Sequence, residues 1–483
     1  MKLLHSTRPR PLVTALAFVA AIPTLAAAQP IEKLSEQVRQ YVHTSGPVIA
    51  LTNVVVIDGT GDPARDGQTV LIEDGRIAAI GPAGQVRMTE DATVLDMTGH
   101  TVIPGLVGLH NHMFFSSAGG RSSQANFTAP RLYLGSGVTT IRTTGSRRPY
   151  DDINVRANIE RGLTPGPRIH ITAPYITGMD GATTMAQIGS PEQARRFVAY
   201  WAAESAQWIK AYTAITREDL AAAIDEAHAQ GLKVTGHICS VSFREAVALG
   251  IDNIEHGFAT ASDFIALKEP DICPSNLMVI MGNEADPRGP VAQDVIRTMI
   301  EADVGMTSTL AVYEPFIPNR PTRDSLTLAV MSDETREDYL EAREQIDTNP
   351  NFPLTDAHFE KAMEFERAFV EAGGLMAAGV DPTGLGGAIA GFGDQRNYQL
   401  LVEAGFTPEQ TVQIMSLNGA RILEVDDELG SLEVGKLADI VVMEGDLTSD
   451  PGAIRHVKIV FKDGVGYDTD ALIADVKGRV GIN

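Results

Sequence analysis

The sequence predicts an α/β protein, a (β/α)8 TIM barrel carrying a small β-sandwich built from both chain ends. Three observations point there. Strand-like and helical stretches alternate through the middle of the chain, and short β-rich runs parted by Gly, Asp and Pro occupy both flanks. An apolar run beginning at Val102 ends in two imidazoles one residue apart, His110 and His112.

With 483 residues, 44% of them hydrophobic, the chain is long enough for one large domain and a smaller one. Residues 1–28 read as an export signal. They have a basic start at Lys2, Arg8 and Arg10, an apolar stretch from Pro11 to Leu25, and Ala26-Ala27-Ala28 as a small-residue cleavage site. A membrane anchor is the alternative, but the run is short and interrupted by Pro23. Removal of the signal implies a periplasmic or secreted protein with no membrane attachment.

The predicted divisions after the signal are a helical segment over 29–47, a first β part over 48–103, the barrel over 104–424, and a second β part with a tail over 425–483. Ile31, Leu34, Val38 and Tyr41 recur at helical spacing in the first of these. With only Cys239 and Cys273, no disulfide framework is indicated, and two free thiols are expected. The formal charge of −23 becomes −26 without the three basic residues of the signal. Such a surface repels nucleic acid and anionic lipid. The partner expected is a small molecule, with a homo-oligomer left open.

Within the middle, strands are predicted over 138–143, 169–172, 208–212, 233–238, 253–256, 305–310 and 375–380. With the Val102 run they make eight, and in such a fold chemistry sits at the C-terminal ends of the strands. The charged, helix-prone insertion over 315–354 reads equally as a lid or a surface excursion. The Gly384–Gly393 run has neither the lysine nor the register of a phosphate loop and reads as a mobile active-site loop.

Two residues one apart on a strand share a face, so His110 and His112 are placed to grip one ion. A lone His-x-His is weak evidence, since it arises by chance in surface strands. Here the other strand ends supply further ligand types in order: Lys210, His237, His256 and Asp381. Nitrogen and oxygen donors converging on one end of a barrel are what a two-metal hydrolytic centre requires.

At this point the chain resembles the amidohydrolase superfamily, in particular two-metal members related to Xaa-Pro dipeptidases and imidazolonepropionase-like hydrolases. The resemblance runs from the β segment near Thr52 through Pro104-Gly105-Leu106, Gly137-Val138-Thr139-Thr140 and Leu401-Val402-Glu403-Ala404-Gly405 to the stretch Gly430 to Asp439. It implies that His110 and His112 hold the more buried metal, His237 and His256 the second, and that Asp381 both ligates and handles protons. It implies also that Lys210, carboxylated by CO2, bridges two divalent ions, zinc by expectation. Chemistry agrees, because an ammonium has no lone pair to offer a cation whereas a carbamate offers an oxygen to each metal. A snorkelling surface lysine is the alternative, but Trp208-Ile209-Lys210-Ala211-Tyr212 is otherwise apolar and aromatic.

The remaining histidines, His170 among them, lack such support, and Cys239 reads as a small buried residue. Tyr212 shares the face of Lys210 by the period of two and is the first candidate for touching substrate. Where many relatives carry an aspartate this chain has Thr143, and where some carry His and Glu it has Gln395 and Asn397. Imidazolonepropionase activity itself is thereby disfavoured. The expectation is a hydrolase of a C–N amide bond in dipeptides or N-acyl amino acids, working by attack of a metal-bridging hydroxide. Lactone, cyclic-imide or cyclic-amidine opening is the alternative, and a non-catalytic binding protein on the same scaffold the third reading.

Overall fold

The computed structural model describes residues 31–482, so the predicted export signal lies outside the described residues. Ten strands form one wholly parallel sheet. Its order is Arg168–His170, Val138–Thr143, Leu106–Asn111, Met376–Ala378, Gly305–Ser308, Asn253–Glu255, Lys233–Gly236, Trp208–Ala211, Thr172–Gly178 and Ala186–Ile188. The first of these strands and the ninth are parted in the chain by Ile171 alone. One stretch of chain therefore pairs with Val138–Thr143 on one side and with Trp208–Ala211 on the other. A further parallel bridge joins Ser146 to Pro174.

Parallel strands need long returns, and the helices that make them carry their own stop signals. The Phe243–Leu249 helix, which follows the His237 strand end, opens with a reciprocal Ser242 and Glu245 capping box. It closes on left-handed Gly250. In the Leu106–Asn111 strand the apolar residues go into packing, with Val107 and Leu109 joining Trp208, Ala377, Ala420 and Ile422 in one buried cluster. The valine, leucine and isoleucine side chains among them each contribute about 1.5–3 kcal/mol on removal from water.

Both chain ends meet in a separate nine-stranded mixed sheet, where Val48–Val56 lies beside His100–Pro104, and His100–Pro104 beside Ile440–Glu444. The apolar run from Val102 is thus two strands rather than one. Gly105 separates them, and a Cβ there would lie 2.1 Å from Thr139 Oγ1, so only glycine lets the chain pass from one sheet to the other. The predicted N-terminal helix is shorter than its periodicity suggested, a 3-10 turn Ile31–Lys33 and a single-turn helix Glu36–Arg39, although Leu34, Val38 and Tyr41 are all buried. The insertion is helical, with Ser325–Val330 and Asp333–Asp347. No described helix is long and apolar enough to cross a membrane.

One expectation is overturned: Cys239 and Cys273 are joined by a disulfide, and no free cysteine remains. A count of two cysteines gave no hint of pairing, because 34 residues separate them and the fold alone brings them together. Closing a loop of that size is worth about 3–4 kcal/mol in the chain-entropy account.

Candidate active site

The parallel register brings the expected residues to one end of the sheet. Ala378 pairs with Gly108, Ser308 with Ala378, Glu255 with Thr307, Gly236 with Ile254, and Ala211 with Gly236. His110 and Lys210 therefore sit near the last residues of their strands, and His112, His237, His256 and Asp381 just beyond theirs. All six are buried apart from His237, which is partly so. His256 and Asp381 adopt left-handed backbone, with φ 71° and 46°. Such conformations cluster where a side chain must be re-aimed at a functional site. Asp381 N–H donates to His110 O at 2.7 Å, and next to it a Cβ on Gly379 would fall 2.2 Å from His110 N. A glycine there is what lets the two ligand-bearing strands close up.

His110, His112 and Asp381 offer three ligand atoms lying within 4.8 Å of one another. His110 Nε2 is 3.6 Å and His112 Nε2 3.3 Å from the Asp381 carboxylate. The His256 ring stands 4.4 Å from that of His110 and 4.3 Å from that of His237, so the second pair adjoins the first. Burial, reinforced by Lys210, pushes His237 down to about 3 and holds His110 well below the usual histidine range. Burial and the His237 neighbour do the same to His256. Neutral imidazoles are the form that ligates metal. Burial opposes ionisation of Asp381, yet His110, His112 and Thr383 hold its carboxyl below the ordinary aspartate value.

Lys210 is the odd member. It is fully buried, its Nζ has no hydrogen-bond partner, and Glu255 Oε1 is 4.0 Å away. Burial pushes it down to about 8, with Glu255 pulling upward and Arg142 downward. An orphaned buried amine of this kind fits a bridging carbamate better than a structural ammonium, which would need partners.

Glu255, which the sequence reading did not single out, adjoins His256, and alternation along an extended strand would turn it to the opposite face. The left-handed backbone of His256 breaks that alternation, and both side chains serve the site. Glu255 Oε2 accepts from His110 Nδ1 at 2.8 Å. Its other oxygen accepts from Arg142 at 2.5 Å and from Asn253 at 3.2 Å, and also from Thr235. This fixes the His110 tautomer so that Nε2 faces Asp381. Glu255→Gln should leave Arg142 buried without a counter-charge and destabilise the fold by about 3–5 kcal/mol. Metal affinity should fall about 10- to 100-fold. Denaturant unfolding with a metal titration checks both, and a variant matching the parent in each would remove the orienting role.

Tyr212 does face the site, its ring 4.6 Å from that of His237. Two tyrosines missed in the sequence join it. Tyr175 Oη lies 3.4 Å from His112 Nε2, and the Tyr313 ring is 5.7 Å from that of His256. Tyr175 was out of reach because its strand runs to Gly178, beyond the predicted end. Cys239, paired rather than free, ties the loop after His237 to the approach of the Leu277–Glu284 helix. Gln395 and Asn397 are spent on backbone: Gln395 donates to Ser136 O at 3.1 Å, and Asn397 accepts from Ala311 N–H at 3.0 Å. Thr143 accepts from the Thr172 N–H at 3.0 Å. His170 precedes the Thr172–Gly178 strand, with its Nδ1 3.3 Å from Gln207 Nε2.

The model of the amidohydrolase family matches residues 101–316 and 332–475. The chain belongs to the amidohydrolase family. Among curated relatives, the enamidase of Eubacterium barkeri is 27% identical over 270 residues, 54% of this chain and 63% of that protein. The imidazolonepropionase of Acidiphilium cryptum is 30% identical over 178 residues, 35% of this chain and 43% of that protein. The chain thus spans less than two thirds of the length of these relatives. Among solved structures, a Xaa-Pro dipeptidase with bound methionine in the active site matches with TM-score 0.63 and 21% identity, covering 87% of this chain and 100% of that one. Phenylurea hydrolase B matches with TM-score 0.64 and 21% identity over 90% and 100%. At these identities the structural likeness speaks to the fold. Members of this family are hydrolases of C–N bonds that typically use divalent metals, and in this chain His110, His112 and Asp381 offer ligand atoms for a metal site.

Proposed function

We propose that this amidohydrolase is a two-metal enzyme that cleaves the amide bond of dipeptides or N-acyl amino acids. The observation that carries the reading is the orphaned, fully buried Lys210 amine among four histidines and Asp381 at one end of a parallel sheet. In this reading His110, His112 and Asp381 would hold one ion, His237 and His256 the other, and a carboxylated Lys210 both. Two such ions, zinc by preference, would supply Lewis acidity toward the carbonyl and an activated water. The chain's own residues do the rest. Glu255 orients His110, and Asp381 accepts the proton of the attacking water and returns it to the leaving amine. Tyr212, Tyr175 and Tyr313 surround the place where substrate would lie.

The finer architecture belongs to the same reading. Pairing of the 168–178 stretch at both margins of the parallel sheet supports closure into a (β/α)8 barrel, with the joined chain ends as the accessory β-sandwich. We place the enzyme in the periplasm or outside the cell, consistent with the Cys239–Cys273 disulfide, a bond kept in oxidising compartments. Cyclic amides form the second substrate class, favoured by the likeness to the imidazolonepropionase.

A screen of dipeptides, N-acyl amino acids, cyclic imides and lactones at matched metal loading tests the proposal, with elemental analysis of the same protein. Turnover of linear amides and close to two divalent ions per chain are expected. Turnover of lactones alone would reassign the reaction, and full activity with one ion would remove Lys210 from the bridge.

A further inference from the structure

Three of the four site histidines have their rings oriented by a hydrogen bond. His110 Nδ1 lies 2.8 Å from Glu255, His112 Nδ1 3.1 Å from the Gly145 carbonyl oxygen, and His256 Nδ1 2.8 Å from Thr309 Oγ1. A metal-binding imidazole ordinarily gives its other ring nitrogen to such a partner, which fixes its tautomer and direction. His237 departs from that pattern. Its ring has no hydrogen-bond partner among the described residues, and of the four histidines it alone is only partly buried.

The position of His237 therefore rests on its backbone, which is held from two sides. His237 N–H donates to Ala211 O at 3.0 Å and Ser240 N–H to Thr213 O at 3.0 Å, so the loop lies on the stretch that follows Lys210. On the other side it is joined to residues 257–276, which run on from His256. Cys239, two residues beyond His237, is bonded to Cys273, Lys268 Nζ donates to Ser240 O, and Asp263 accepts the Phe243 N–H at 2.8 Å. That second stretch has little structure of its own, a 3-10 turn Ser262–Phe264. Arg217 ties it further, with its backbone N–H donating to Asp271 at 2.9 Å and its Nε at 3.0 Å. Both partners of that pair are part-exposed, where solvent weakens an ion pair. The disulfide is the covalent tie, and its Cys239 end is buried.

We propose that the Cys239–Cys273 disulfide is the positioning device for the second metal ion, locking the His237 loop to the chain that leaves His256 in place of the hydrogen bond that the His237 ring lacks. The inference rests on the two-metal reading and adds that the second ion is held tightly in the oxidised protein alone. The first ion stands outside the lock. Its ligands His110, His112 and Asp381 belong to other elements, joined directly by the Asp381 N–H to His110 O bond. Such a centre is completed where disulfides form, away from a reducing cytoplasm.

Zinc binding by the full chain tests this in three forms: oxidised parent, Cys239→Ala/Cys273→Ala, and parent reduced with a phosphine. Competition with a chromophoric chelator reads the two successive affinities, with no turnover required. In the double variant the weaker affinity should fall about 10- to 100-fold, the usual loss when support behind a ligand is removed, while the tighter one holds. Reduced parent should release one ion and recover it on reoxidation. In a His237→Ala background, where the second ion is already lost, removing the cysteines should change nothing further. A disulfide that merely stabilised the fold would weaken the remaining ion there as well. Parental affinities for both ions in the folded double variant overturn the proposal, and so does a loss shared equally by the two. Should the double variant not fold, the reduced parent decides, since release of both ions or of neither overturns the proposal. An oxidised parent that binds a single ion brings down the two-metal reading itself, and the proposal with it.

Discussion

On the two-metal proposal, Lys210→Ala should lose one ion and at least about 100-fold in activity, while the protein folds as the parent does. The size follows from scale, since removing a residue that merely orients a ligand costs about 10- to 100-fold, and a bridge holds both ions. Folding should be spared because the Lys210 amine makes no hydrogen bond whose loss would strand a partner. Removing an unpaired buried amine also removes its desolvation penalty. Carboxylation requires the neutral amine, which adds to CO2 and releases a proton. With Lys210 lowered to about 8 by burial, that form is accessible at mildly alkaline pH and declines as pH falls. Metal-stripped parent should consequently regain two ions faster at pH 8.5 than at pH 6, and faster with bicarbonate present. Short carboxylic acids should partly restore the second ion to Lys210→Ala. Elemental analysis of reconstituted parent and mutant checks each point, and a mutant with two ions and parental activity would end the assignment.

Much of this site was legible from the sequence because its members are chemically unusual for where they stand. A lysine inside Trp208-Ile209-Lys210-Ala211-Tyr212 conflicts with an apolar strand, and strand order alone told that the ends of the parallel strands would meet. Burial now bears out the conflict at Lys210. Residues whose role depends on a broken local rule stayed hidden. Glu255 reaches His110 only because His256 leaves the extended conformation. Tyr175 depends on a strand that resumes after Ile171, and the Cys239–Cys273 bond on two loops that only the fold brings together. The Val102 run is two strands rather than the one its hydrophobic continuity suggested, yet the division predicted at 103/104 falls beside Gly105, where the chain changes sheet.

Asp381→Asn separates the two duties proposed for one carboxylate. Were the residue a ligand and nothing more, excess zinc should rescue the amide variant, since an amide oxygen remains a possible if weaker donor. Were it also the proton carrier, rescue must fail, because an amide takes up no proton near neutral pH. The proposed mechanism expects the second duty. Asp381 has oxygens 3.3 Å from His112 and 3.6 Å from His110, accepts from Thr383 at 2.8 Å, and its carboxyl stays below the ordinary aspartate value despite burial. A carboxyl lowered from its ordinary value is a base throughout the neutral range and loses that capacity only in acid. The parent rate should therefore fall on the acid side, and a metal-replete Asp381→Asn enzyme should lack that limb. Positioned acid–base groups contribute about 10²- to 10⁴-fold, so the variant should lose at least that much with both ions bound. The measurement is a pH–rate profile of parent and variant on one good substrate, with metal content determined in the same samples. Activity within tenfold of the parent at full metal occupancy would move proton transfer to another group, of which Tyr175 beside His112 and Tyr212 beside His237, their rings 5.5 Å apart, are the first candidates.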